Sequence, residues 1–87
     1  MDIDVVGIFV NECLEIDASL KWRLNNTLLY NTYIKWCSTN NERVMSQKWL
    51  TMRMSEKGFK RMSSNGARFW LGLAVKAAWQ VEEKKKW

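Results

Sequence analysis

The chemistry of this chain is carried by polar and basic side chains in its second half. Gln47, Lys48 and Thr51 are spaced to stand at the start of one helix, with Arg53 and Ser55 following on the same segment. Lys60, Arg61, Ser63, Ser64, Asn65 and Arg68 gather around the dipeptide Asn65-Gly66. Glutamine pairs with adenine through two hydrogen bonds, and lysine reaches guanine or phosphate. Short polar and basic side chains at a hairpin tip suit phosphate backbone or minor-groove contact. This is binding chemistry for a polyanion. Catalysis is not expected. The chain has no His, no Gly-x-x-x-x-Gly-Lys phosphate loop and no glycine-rich turn between strand and helix. Its carboxylates lie mostly in the other half, with no spacing that suggests a paired acid and base.

Charge distribution points the same way. The net charge is +5, but residues 1–42 carry a net −3 and residues 43–76 a net +7. In the second segment Arg43, Lys48, Arg53, Lys57, Lys60, Arg61, Arg68 and Lys76 face Glu56 alone. An acidic scaffold joined to a cationic surface is the electrostatic footprint of a polyanion binder. Cys13 and Cys37 lack CxxC spacing and a histidine partner, so neither a zinc site nor a redox pair is expected. They read as small buried hydrophobes, and a disulfide would need their two helices to cross there. No apolar run approaches the roughly 20 residues a membrane span needs. Asp2 and Asp4 have the wrong sign for a signal peptide, so the expected setting is cytoplasmic.

The elements that must position these groups follow from periodicity. At 87 residues, 47% of them apolar and six of them Trp, the chain has material for one packed core. Asp4 is expected to cap a helix to about Glu15, with Val6, Phe9, Val10, Cys13 and Leu14 on its apolar stripe. Lys21-Trp22-Arg23-Leu24 reads as a brief strand. Asn25 or Asn26 caps a second helix to about Ser38, burying Leu29, Tyr33, Trp36 and Cys37, with Tyr30 and Ile34 flanking. Ser38 to Asn41 is a turn cluster. Ser46 caps a third helix that ends at Gly58, with Leu50, Met54 and Lys57 on one side. After Gly58 the period becomes two, predicting strands over 59–62 and 67–76 about a turn at 63–66. In the longer strand Phe69, Leu71, Leu73 and Val75 are expected on one face, opposite Arg68, Trp70 and Lys76. A two-residue turn at Asn65-Gly66 pairs Met62 with Phe69, whereas a bulged turn pairs Phe59 with Leu71. The pattern leaves the register open. The fold class is therefore mainly α (α+β), a winged helix-turn-helix. It comprises three helices, a small antiparallel sheet and a C-terminal β-hairpin wing over residues 1–76. Residues 77–87 read as a basic, frayed helical tail, Lys-rich near its end, and the Lys84-Lys85-Lys86 run is expected to be solvated.

Three segments in order carry a family resemblance: Leu29-Tyr30-x-x-Tyr33-x-x-Trp36-Cys37, Ser46-x-x-x-Leu50-x-x-x-Met54-x-x-x-Gly58-Phe59-Lys60, and Trp70-Leu71-Gly72-Leu73. Over about residues 4 to 76 the chain resembles the C-terminal winged-helix domain of primase–helicases of satellite phages, plasmids, mobile islands and poxviruses. It departs from that pattern at Leu50, where a large aromatic is usual, at Trp49, where the residue is commonly polar, and near Asn41, where Gly is usual. The resemblance implies a DNA-binding appendage of a superfamily 3 helicase acting in replication initiation. Helicase or primase domains of the same chain, or other replication proteins, would then be further partners. Duplex DNA is expected ahead of single strands, with Gln47, Lys48, Thr51, Arg53, Ser55, Lys60, Arg61, Asn65 and Arg68 at the contact. No metal, cofactor or membrane partner is expected. The alternative is a protein-interaction winged helix with Trp49, Met52 and Trp70 as its anchors. Trp22, Trp36 and the two tyrosines are expected in the core.

Overall fold

The computed structural model describes residues 4–80. The Asp4 carboxylate accepts the Gly7 N–H and starts α1, Val5–Cys13. Its expected stripe is buried in full: Val6, Phe9, Val10, Cys13 and Leu14 all reach the core. The helix stops at Cys13 rather than Glu15. Leu14 is extended and opens β1, Leu14–Ile16, which pairs antiparallel with β5, Leu73–Val75. A ladder partner late in the chain thus supplies hydrogen bonds that a last helical turn would otherwise make, while Leu14 stays buried. The early strand lies slightly later than its sequence pattern, as β2, Arg23–Asn25. Leu24 is its buried residue, whereas Trp22 is 41% exposed and is not a core side chain. The Trp22 carbonyl accepts the Gly72 N–H outside the ladder, so the strand's alternation does not extend to it.

Asn25 Oδ1 accepts the Thr27 and Leu28 N–H groups and begins α2, Asn26–Thr39. Leu29, Tyr33, Trp36 and Cys37 are buried as expected, with Thr32 satisfied by donating to the Leu28 carbonyl. Beyond α2, Asn41 takes φ 55°, a left-handed conformation that Asn tolerates better than most residues. Ser46 Oγ caps α3, Gln47–Glu56. Gly58, at φ 94°, closes α3 with Gly58 N–H to the Ser55 carbonyl and Phe59 N–H to the Met54 carbonyl. This paired arrangement is a Schellman motif.

The hairpin starts two residues later than its pattern, with β3 at Arg61–Ser64 and β4 at Ala67–Leu71. Asn65 and Gly66, at φ 52° and 80°, make the two-residue turn. That choice fixes the register: Met62 pairs with Phe69 and Arg61 with Trp70. The expected long strand is two strands, β4 and β5, divided at Gly72. Its face assignment is corrected as well. Trp70 is fully buried, while Phe69 and Leu71 are half-buried, and the inward side passes to Leu73 and Val75. Gly72, at φ 74°, turns the chain between the two strands, so one alternation cannot run through both. Strand β4 lies between β2 and β3, and among the described residues β5 pairs only with β1.

Three helices with small antiparallel sheets, in this order, make a mixed α+β arrangement compatible with a winged helix-like fold. Trp79, in the 3-10 turn Ala77–Trp79, packs on the core, while Lys84-Lys85-Lys86 lies outside the described residues. Cys13 and Cys37 are both buried and unbridged. Burial pushes the Cys13 thiol up to about 12. Among the described residues no helix is long and apolar enough to cross a membrane.

Candidate nucleic-acid interface

The approach of the chain to α3 is held by α2. Tyr30 donates its hydroxyl to the Met45 carbonyl at 2.9 Å. Tyr33 accepts the Met45 N–H at 3.2 Å and donates toward the Arg43 carbonyl at 3.5 Å. Burial pushes the Tyr33 phenol up to about 12. Below these bonds Tyr33 meets Phe9 edge-on at 5.5 Å between ring centres, and Phe9 meets Trp36 at 5.7 Å. The aromatic spacing of α2 therefore both fills the core and sets where α3 begins. Leu50 and Met54, each at most 1% exposed, anchor the inner face of α3.

The β3–β4 hairpin is fixed from the other side by Trp70. Its indole N–H donates to Asn26 Oδ1 at 2.8 Å, tying β4 to the first residue of α2. Arg61, directly across the ladder, lays its guanidinium 5.6 Å from the Trp70 ring centre. A stacked arginine keeps its charge while losing much of its conformational freedom. Arg68 pairs with Ser63 in the register, on the same side of the hairpin as Arg61.

Between α3 and the wing these side chains meet. One open groove is lined by Gln47, Lys48, Thr51 and Met52 from α3, by Arg61 and Arg68 from the hairpin, and by Asn26 from α2. A second hollow on the wing adds Met62 and Ser63 beside the same two arginines. Five of the nine residues singled out in the sequence thus converge on one concavity: Gln47, Lys48, Thr51, Arg61 and Arg68. Among the described residues the ion pairs are Arg53 with Glu56 and Lys57 with Asp4. Lys48, Arg61 and Arg68 pair with no described carboxylate, so their charge remains directed into the groove.

The other four stand apart from that groove. Arg53 lies over Trp49, 5.5 Å from its ring centre, and bonds Glu56 at 3.1 Å. It lines a different concavity, with Asp4, Tyr33, Glu42 and Trp49. Ser55 is exposed at the far end of α3, Lys60 is exposed before β3, and Asn65 is exposed at the wing tip. Trp49, Met52 and Trp70 do not share a surface: Trp49 is half-buried on the Arg53 side, Met52 opens on the groove, and Trp70 is inside. Asn26 and Met52 are groove residues that the sequence pattern did not mark as such. Met52 stands one turn after Lys48, a spacing that places both on one side of a helix. Asn26 is remote in sequence and carries only a helix-start signal.

Among the described residues no group of three or more His, Cys, Asp or Glu side chains is placed to hold a metal ion. Comparison with known families gives one finding: residues 1–86 match the family described as poxvirus D5 protein-like. No curated protein and no solved structure matches the chain at a significant level.

Proposed function

This chain belongs to the poxvirus D5 protein-like family, and on that premise we propose that it is a non-catalytic DNA-binding module of winged-helix type. Its work is replication-associated, as part of a primase–helicase system. The family and the order of the resembling motifs support the replication setting. One observation carries the DNA reading. Lys48, Arg61 and Arg68 open on a single groove beside the polar side chains of α3, with no described carboxylate paired to any of them.

The mechanism is charge neutralisation with limited base readout. The start of α3 enters the major groove, where Gln47, Lys48 and Thr51 meet base edges. The wing arginines meet phosphate, which fixes the register of the protein on the duplex without reading sequence. If the three groove cations neutralise about three phosphates, log K falls against log salt with a slope of about −3. Titration of a labelled duplex at several salt concentrations measures that slope. Binding that ignored salt would instead indicate a protein-interaction domain.

A further inference from the structure

Within the groove one side chain is chemically out of place. Met52 is 50% exposed on α3, yet its neighbours there are Lys48, Thr51, Arg61 and Arg68. A large apolar group half-exposed among cations contributes little to the fold, since Leu50 and Met54 already occupy the inner face of α3. It offers a flexible, polarizable surface to whatever enters the groove. The other groove-facing groups on α3 limit what that is. Gln47 supplies an adjacent donor and acceptor, Thr51 supplies a methyl and a hydroxyl, Lys48 supplies a point charge for phosphate or a neighbouring guanine, and no carboxylate lines the groove. Cytosine presents an N4 amino donor in the major groove and is read by Glu or Asp, so this wall lacks the cytosine-reading group. Thymine presents a 5-methyl group, the one apolar feature of a base edge in that groove. Adenine presents the N6 and N7 pair that glutamine matches.

Resting on the DNA-binding reading above, we infer that Met52 is a specificity-determining residue that packs on a thymine 5-methyl group. The preferred substrate is then duplex DNA with an A·T pair under the first two turns of α3, Gln47 reading adenine and Met52 reading thymine. Asn26 does not compete for this role. Its side-chain oxygen already accepts the Trp70 indole N–H and serves to hold the wall in place.

The test compares three duplexes of equal length: one rich in thymine, the same duplex with uracil at every thymine, and one of G·C pairs only. Uracil keeps the hydrogen-bonding edge and removes only the methyl group. Burying one methyl-sized group corresponds to about a fourfold change in affinity. The parent chain is expected to bind the thymine duplex about fourfold more tightly than the uracil duplex for each methyl contacted, and the G·C duplex more weakly still. Met52→Ala should bind the thymine and uracil duplexes alike while keeping the parent's salt slope. Met52→Leu should restore the thymine preference, because it returns apolar surface at that position. Salt-dependent binding that is equal for thymine and uracil overturns the Met52 assignment and leaves the DNA-binding module standing. Absence of salt-dependent binding to all three duplexes overturns both.

Discussion

Lys48 and Arg53 carry the same charge on the same ten-residue helix, yet they have different jobs. Lys48 faces the groove, whereas Arg53 sits two residues beyond Thr51, about 200° further round the cylinder. There its charge is met by Glu56 and by the face of Trp49. Replacing Arg53 with Ala should therefore change duplex affinity by less than about twofold, because its charge is already met by Glu56 and its side chain lines another concavity. Replacing Lys48 or Thr51 with Ala should reduce preference for a cognate site by about 1–3 kcal/mol, the size of one lost base contact. Competition titrations with cognate and scrambled duplexes read both effects. Equal losses for Arg53→Ala and Lys48→Ala would put the contact surface on the wrong side of α3. The i, i+4 relation of Gln47 to Thr51 was legible in the sequence. Arg53 counted there as one more cation, because composition does not record direction.

At the scale of elements the decisive junction is Gly72. It separates β4 from β5, donates its N–H to Trp22 and accepts the Asp17 N–H at 2.7 Å. Its φ of 74° suits Gly, and a Cβ there would stand 2.7 Å from both the Asp17 carbonyl oxygen and Leu20 Cδ2. Gly72→Ala should cost about 1–3 kcal/mol from backbone strain, with crowding adding to it, read as a lower urea midpoint at unchanged slope. An unchanged midpoint would mean that the loop over Gly72 yields freely. The periodic pattern from Ala67 to Lys76 reads as one strand because Gly interrupts neither apolar residues nor alternation by itself. The break exists because β4 and β5 have different partners, β2 and β3 for one and β1 for the other. Helix ends, by contrast, were legible at Asp4, Ser46 and Gly58, and to within one residue at Asn25, since a cap is a local bond between near neighbours.

Over the whole molecule the acidic and basic halves of the sequence are partly stitched together. Asp4 binds Lys57 across the fold, joining the two halves, while within the acidic half Glu12 accepts the Trp36 indole N–H at 2.8 Å. Among the described residues two carboxylates lie below their ordinary range: Asp4 chiefly through its bond to Lys57, and Asp17 chiefly through its bond to the Ser19 hydroxyl. A carboxyl that is harder to protonate when native stabilises the fold above the ordinary carboxylate range. That contribution is lost as pH falls through the lowered native value. Urea midpoints should therefore hold down to about pH 4 and decline below it. Asp17→Asn should make the acid decline shallower while leaving cation placement in the groove intact. A decline as steep in Asp17→Asn as in the parent would assign acid sensitivity to other groups.

The stripe of α1, the aromatic stripe of α2, the caps and the Asn65-Gly66 turn are all set by residues within a few positions of one another. The sequence by itself therefore determined three helices, a hairpin and a cationic second half. Tertiary structure alone decided the rest. It ended α1 early to pair β1 with β5, turned Trp70 inward against Asn26, and left Trp22 exposed in a loop. It also divided the basic residues, aiming Lys48, Arg61 and Arg68 into one groove and turning Arg53, Lys57 and Lys76 to partners elsewhere. The physical reason is range. Periodicity and capping depend on neighbours along the chain, whereas strand partners, burial and the direction of a charge depend on groups dozens of residues away.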